Sequence, residues 1–418
     1  MNAVTPASHR PARRVRSFFA LALAALALLP AVHGAVTWKN IQIGGFASQG
    51  FLINSGPNDY LGETSEGTFD FREYGLNASW SKGKFRVGAQ AFGQKLGEYG
   101  DDEIKLDWGI VDYQATQWFG VRAGRVKMPR GLYNEALDVD SVRPFVLLPQ
   151  SVYDARLRDF NAAFNGAMVY GNVSLKRLGS VDYKAFYGEI PMSTDSGAND
   201  YFNNDVPYPN LSIGMDSAFG GSAFWNTPVN GLRAGFSYTS FKDFTADRLV
   251  GFDWPGFGYI EFVMFKTADF YERHLFSVEY SRGDWLFAAE GGFDEARYGI
   301  AVIGSPAESF IDFESTYAYV SAARRINDRL ELGAYYSYSK ETSDIVPQMP
   351  DSIAIPALTQ HDFALSAKYT VNENWVFKLE GHYLDGAGKI FDTPKHPQPV
   401  ANRDESWFLF AAKATYSF

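Results

Sequence analysis

From about residue 40 to the last residue, apolar and polar side chains alternate with period two. Phe85, Val87, Ala89 and Ala91 alternate with Arg86, Gly88, Gln90 and Phe92; Leu232, Ala234, Phe236 and Tyr238 alternate with Arg233, Gly235, Ser237 and Thr239. The same rhythm runs through 330–337, 362–369 and 375–384. Successive side chains of a strand point to opposite faces, so each segment has one apolar and one polar face. A soluble β-sandwich makes the same pattern, and the connections decide between the two. Short turns fall at 81–84, 116–117, 226–231, 281–284, 326–328 and 371–374, with a looser one at 171–179. Between them come long polar stretches: 54–68, 96–103, 129–160, 190–211, 243–268, 296–312, 342–359 and 386–404. Strict alternation of short and long connections predicts an all-β transmembrane antiparallel barrel of about sixteen strands, eighteen being the alternative. Such a sheet must close, because unpaired backbone groups cannot stay in hydrocarbon. At that size the lumen holds water, so interior polar side chains are expected to be hydrated.

The first 34 residues do not share the rhythm. Arg10, Arg13, Arg14 and Arg16 precede an unbroken apolar run from Phe18 to Leu29, then Pro30 and Val32-His33-Gly34. A basic head, a short apolar run and a small-residue exit predict a signal peptide over 1–34, with the barrel over 35–418. The run is shorter than the ~18 residues a membrane helix needs. Trp80, Trp118, Trp225, Trp285 and Trp375 each sit near a short turn, where amphipathic rings would form an interfacial girdle.

The last strand, Ser406-Trp407-Phe408-Leu409-Phe410-Ala411-Ala412-Lys413-Ala414-Thr415-Tyr416-Ser417-Phe418, resembles the closing strand of Gram-negative outer-membrane porins. The resemblance implies that Tyr416 and the terminal Phe418 form an assembly signal. A second stretch, Gly124-Arg125-Val126-Lys127-Met128-Pro129-Arg130-Gly131-Leu132-Tyr133-Asn134-Glu135, resembles the strand-to-loop passage of a broad porin group that includes the phosphate-selective porins. What this implies is a constriction in the following loop, a homotrimer, and a setting in outer-membrane lipid and lipopolysaccharide.

The 418-residue chain has a formal charge of −10, which argues against nucleic acid as a partner. There is no cysteine, so thiolate metal sites, disulfides and Cys nucleophiles are excluded. Beyond the leader, His274, His361, His382 and His396 form no HExxH spacing, and no GxSxG elbow occurs. Asp101-Asp102-Glu103 could hold Ca²⁺, but a solvated acidic loop is the plainer reading. No enzyme, cofactor or metal is expected.

Strand phase places Arg86, Arg122, Lys184, Arg233, Arg273, Lys378 and Lys413 on the inner wall, opposed by Glu73, Asp112, Asp182, Glu279, Glu290, Glu331 and Glu380. A balanced wall suits a general hydrophilic pore; a dedicated anion channel would need a basic ladder. The 129–160 connection is the longest, and its Val142, Phe145, Val146, Leu147, Leu148, Val152 and Tyr153 would be costly to leave in water. It is expected to fold inward, apolar side to the wall. Arg130, Arg143, Arg156 and Arg158 would then face Glu135, Asp138, Asp140, Asp154 and Asp159 across a narrowed passage. Acids at Asp59, Glu63 and Glu66, at Glu98 and 101–103, and at Asp195, Asp200 and Asp205 predict an electronegative outer mouth. The function expected is passive diffusion of small hydrophilic solutes and ions through a porin. The rivals are a substrate-specific channel for an anion or organic acid, and a non-conducting barrel serving as adhesin or anchor.

Overall fold

A computed structural model describes residues 35–202, 210–254, 258–302, 308–343, 358–392 and 397–418. The leader, His396 and Asp205 therefore lie outside the described residues. Seventeen strands run in chain order: β1 (Val36–Trp38), β2 (Ile41–Asn54), β3 (Phe71–Lys82), β4 (Phe85–Leu96), β5 (Lys105–Thr116), β6 (Phe119–Lys127), β7 (Ala163–Ser174), β8 (Ser180–Glu189), β9 (Asn210–Asn226), β10 (Leu232–Trp254), β11 (Gly258–Arg282), β12 (Trp285–Val302), β13 (Glu308–Arg325), β14 (Leu330–Ser343), β15 (Thr359–Thr370), β16 (Trp375–Gly386) and β17 (Ser406–Ser417). β1 is a short flap on β2. Each strand from β2 to β17 pairs antiparallel with the next, and β17 returns to β2 from Leu409↔Asn54 to Ser417↔Phe46. The result is a closed barrel of 16 strands, with no free edge in the ring.

Alternation sets the two faces. Leu76, Val87, Val111, Phe276, Val278, Leu365, Leu379, Phe408 and Phe410 stand exposed on the outside, as a lipid-facing band requires. Trp80, Trp118, Trp225 and Trp285 are also exposed, at the short-turn ends of their strands. Phe418 continues the closing seam, its N–H donating to the Gly45 carbonyl and its carbonyl accepting from the Gly45 N–H.

Two of the expected long loops are not loops. Stretches 243–268 and 296–312 are mostly strand, so β10 and β11 run for 23 and 25 residues. That is more than twice the about 9–11 residues that span a bilayer. The reason lies in the phase. Asp243 takes a left-handed conformation, φ 57°, and interrupts the ladder between Phe241↔Tyr271 and Thr245↔Thr267. β11 also skips a residue against β12, between Ala268↔Tyr298 and Phe270↔Arg297. Below this level Ser237, Thr239 and Phe241 are buried; above it Phe244, Ala246 and Arg248 are. A break in alternation reads as the end of a strand, but here it is a change of face within one.

Candidate functional site

The segment after β6 has little regular structure: short 3-10 turns at Asn134–Ala136, Asp140–Val142 and Ala155–Leu157, then one helical turn at Arg158–Asn161. It lies inside the ring. Phe145, Val146, Leu147, Leu148, Val152 and Tyr153 are all buried. Val142 is the exception at 58% exposed, against the expectation that it would leave water.

Fixed points around the wall hold the segment. On β12, Glu290 accepts from the Leu132 N–H at 2.9 Å and from the Tyr153 hydroxyl; Tyr319 and Ser277 donate to the same carboxylate. On β16, the Lys378 ammonium donates to the carbonyls of Asp140 at 2.7 Å and Phe145 at 3.0 Å, and pairs with the Asp140 carboxylate at 3.0 Å. Glu380, also on β16, accepts from the Val146 N–H at 2.8 Å and the Leu147 N–H at 3.0 Å. His382 lies against Glu380 and Asp362 at 3.0 and 2.9 Å. On β17, Lys413 pairs with Glu73 at 2.6 Å and lies 3.4 Å from Asp140, to which Thr415 donates. Lys378 and Glu380 are each 1% exposed, so they are not hydrated lumen groups as expected. Docking the loop removes their water and replaces it with backbone dipoles and counter-charges.

The loop's charges do not form two rows across a gap. Arg143 pairs with Asp140, and Arg156 with Asp154, within the segment. Arg156 also donates to the Lys389 carbonyl at 2.7 Å and stacks on Phe391, 3.7 Å from its centroid. Arg158 pairs with Asp107 of β5 at 2.7 Å, Asp138 with Lys127 of β6 and Gln90 of β4, and Glu135 with Lys184 of β8. Arg130 donates to the Val152 carbonyl and packs against Tyr153 and Tyr317. Asp159 is half-buried. Most of the loop's charges thus meet an opposite charge, on the wall or within the loop, because a charge drawn out of water is costly unless it is paired. Burial alone would raise the Asp138 and Asp140 carboxyls. The Lys127 and Arg158 charges more than offset this at Asp138, which falls to about 2, and Lys413, Lys378 and Arg143 hold Asp140 well below the usual carboxylate range.

One sector of the wall stays open to space. A cavity of about 390 Å³ lies between the loop at Leu132 and Glu135 and a wall of Tyr170, Asn172, Asp182, Lys184 and Arg233. Arg122 pairs with Asp112 at 2.7 Å, and Arg233 with Glu279 at 2.9 Å. Arg86 is exposed beside them on the same face as Gln90. Glu331 pairs with Lys368, which also donates to the Ser141 carbonyl of the loop. Arg273 turns away from open space and binds Asp294 and the Asn161 side chain, at 2.9 and 2.6 Å.

Asp107, Lys127, Gln90, Asp294 and Lys368 were not singled out from the sequence. Asp107 sits on the wrong parity for β5, where Ile110 and Asp112 are buried, because the β4–β5 register slips between Gln90 and Ala91. At the outer mouth three of the acids are also answered: Asp102 pairs with Arg72, Asp101 with Lys95 and Glu103 with Lys105. The mouth is less electronegative than the loop sequences alone suggest. Among the described residues no cluster of His, Asp or Glu is arranged to hold a metal ion.

No family model matches the chain, and no curated protein is similar to it in sequence. Solved structures do share its architecture. OmpF of Salmonella typhi, in complex with daunomycin, superposes with a TM-score of 0.54 at 11% identity over 92% of this chain and 100% of its own. The outer-membrane channel DcaP of Acinetobacter baumannii gives 0.52 at 11%, covering 93% and 99%. The anion-selective porin from Comamonas acidovorans gives 0.52 at 12%, covering 90% and 99%. With so little sequence in common, the likeness is one of fold: a closed 16-stranded antiparallel barrel of the kind outer-membrane porins have.

Proposed function

We propose that the protein is an outer-membrane porin of a Gram-negative bacterium, conducting small hydrophilic solutes and ions past the docked 129–160 loop. The observation that carries this reading is the loop itself. Its buried face is clamped to Glu290, Lys378, Glu380 and Lys413, while Glu135 and Lys184 border a polar cavity beside it. Constriction would come from the loop together with the wall from Arg86 to Arg233, where Arg122, Lys184 and Arg233 stand near Asp112, Asp182 and Glu279. Charges of both signs orient water and disfavour apolar solutes without excluding either sign of ion. A leader over 1–34 and a homotrimer set in lipid and lipopolysaccharide belong to the same proposal.

One observation favours the narrower alternative, a substrate-specific channel. The lumen also holds a packed cluster of buried aromatic rings, Phe160, Phe164, Phe202, Phe241, Phe244 and Tyr271, which takes up space that a solute would otherwise use. Planar-bilayer recording separates both channel readings from a non-conducting barrel. Wild-type protein is expected to give ohmic steps, and deletion of 132–150 is expected to raise them several-fold. Silence from both proteins would leave a non-conducting barrel. Equal conductance from both would move the constriction elsewhere.

A further inference from the structure

The tall hairpin carries two cations that no acid among the described residues answers. Arg248 of β10 is 3% exposed, yet its Nε has no hydrogen-bond partner, and it makes no ion pair with any described residue. Lys266 of β11 stands on the same face, one diagonal step away, since Ala246 pairs with Lys266 and Arg248 with Met264. Its ammonium lies 3.9 Å from the Tyr298 ring centroid and 3.5 Å from the Phe202 carbonyl. Across the other ladder Arg248 faces Asn210, beside a register slip. The Asn210 amide donates to Asn199 but leaves its own buried oxygen without a partner.

Lys378, Lys413, Arg156, Arg158 and Arg273, also buried, each touch a carboxylate. Arg130 is buried without one, but its guanidinium donates to the Val152 carbonyl and packs on Tyr153 and Tyr317, whereas that of Arg248 has no hydrogen bond to any described residue. A buried guanidinium without counter-charge is costly, and it is most readily relieved by a planar oxyanion that accepts two parallel hydrogen bonds. The two changes of face described above, at Asp243 and at Ala268/Phe270, turn both cations inward. Beside Lys266 stand aromatic rings that pack on one another, Phe202 and Phe244 with centroids 4.9 Å apart and Phe244 and Tyr298 5.9 Å apart.

We propose that Arg248 and Lys266 form a binding site for a small carboxylate with an apolar body, the carboxylate on the two cations and the body against Phe202, Phe244 and Tyr298. Lys266 is only half-buried, which leaves a way in. The site lies well beyond the membrane-facing part of β10 and β11. It would collect solute at the outer end of the lumen, and it stands whether or not the barrel conducts.

The test uses purified, folded full-length protein in detergent and three probes: benzoate, benzamide and inorganic phosphate. Benzoate is expected to bind in saturation-transfer NMR and by calorimetry, with neutral benzamide weaker by about tenfold or more. The double variant R248Q/K266Q should lose benzoate binding by a similar factor while keeping the gel shift between unheated and boiled barrel. D205N/E308Q, which removes two acids whose side chains lie outside the described residues, should bind as wild type does. Benzamide binding as well as benzoate, or phosphate binding more tightly than benzoate, would overturn the assignment. So would a gain of affinity in D205N/E308Q, which would make those acids the native counter-charge. Because binding is read without conduction, silence in bilayers would sink the porin reading and leave this one untouched.

Discussion

Lys378 and Arg233 both point into the barrel, and by strand phase they look alike. Lys378 has no exposed side-chain surface and spends its donors on two loop carbonyls and a carboxylate. Arg233 keeps 38% of its side chain exposed, pairs with Glu279 on its own wall and borders the open cavity. The sector of β14–β17 behaves as a socket, and the sector of β5–β10 near the short turns behaves as a lining. An inward-facing charge therefore has two possible fates, and which one it meets depends on whether the loop covers it. In the socket it fixes a conformation; in the lining it sets the field that a solute would feel.

The comparison breaks most sharply at Lys378. Replacing it with Met removes the two carbonyl contacts and one of the neutralising charges on Asp140. Loss of one partner of a buried pair costs about 3–5 kcal/mol, and Arg143 and Lys413 remain nearby, so the lower end is expected. The ring of 16 strands should survive, with an unchanged difference in migration between unheated and boiled protein. The loop should loosen: faster proteolysis within 129–160 and larger, noisier conductance steps. A variant with wild-type proteolysis would show that Glu290 and Glu380 hold the loop without Lys378.

How much of this was legible in the sequence can be judged from the same residues. Alternation and turn spacing suffice for the barrel, since period two and the split between short and long connections are properties of the chain itself. They also suffice to put Lys378 and Arg233 on one face. They cannot separate the two, because that depends on where a 32-residue segment with little regular structure comes to rest. Phase arithmetic fails wherever a strand slips: Asp107 escapes notice for this reason, and Arg248 and Lys266 fall in a stretch that reads as loop. The apolar content of 129–160 signals inward folding, but the same content leads one to expect its charges in the channel. Most are instead spent on docking, while Glu135 borders the open cavity.

The lining should respond differently. R122Q with R233Q removes two partly exposed charges beside Asp112 and Glu279. The Arg233–Glu279 pair is open to water and contributes only about 0–1 kcal/mol, whereas Asp112 is buried and keeps only the Tyr170 hydroxyl once Arg122 is gone, so a modest loss of thermal stability is expected. Reversal potentials in dilute salt should shift toward cations, and the shift should shrink as salt rises and screens the wall, with a Debye length of ~10 Å at 0.1 M. Lys378→Met should show the opposite profile, a loosened loop with little change in selectivity. If R122Q/R233Q leaves the reversal potential where it was, the path of ions does not run along β6 and β10.

The smallest expected effect is on pH, and it falls at the border between the two sectors. Asp138 belongs to the loop but docks on Lys127 and Gln90, beside the lining. Burial opposes its charge, but Lys127 and Arg158 hold the carboxyl at about 2, below the usual value near 3.9 for a released loop. A carboxyl depressed on docking favours the docked state while it is ionised. Its contribution, about 2 kcal/mol, is complete above pH ~4 and is lost as pH falls toward 2. Single-channel conductance should therefore stay flat from pH 8 down to about 4.5, then rise below about 3 as the loop loosens. Asp138→Asn should lack most of that acid step and show a slightly raised conductance at neutral pH. If the variant keeps the full acid step, the loop is released in acid through Asp140 and its socket, and Asp138 does not take part.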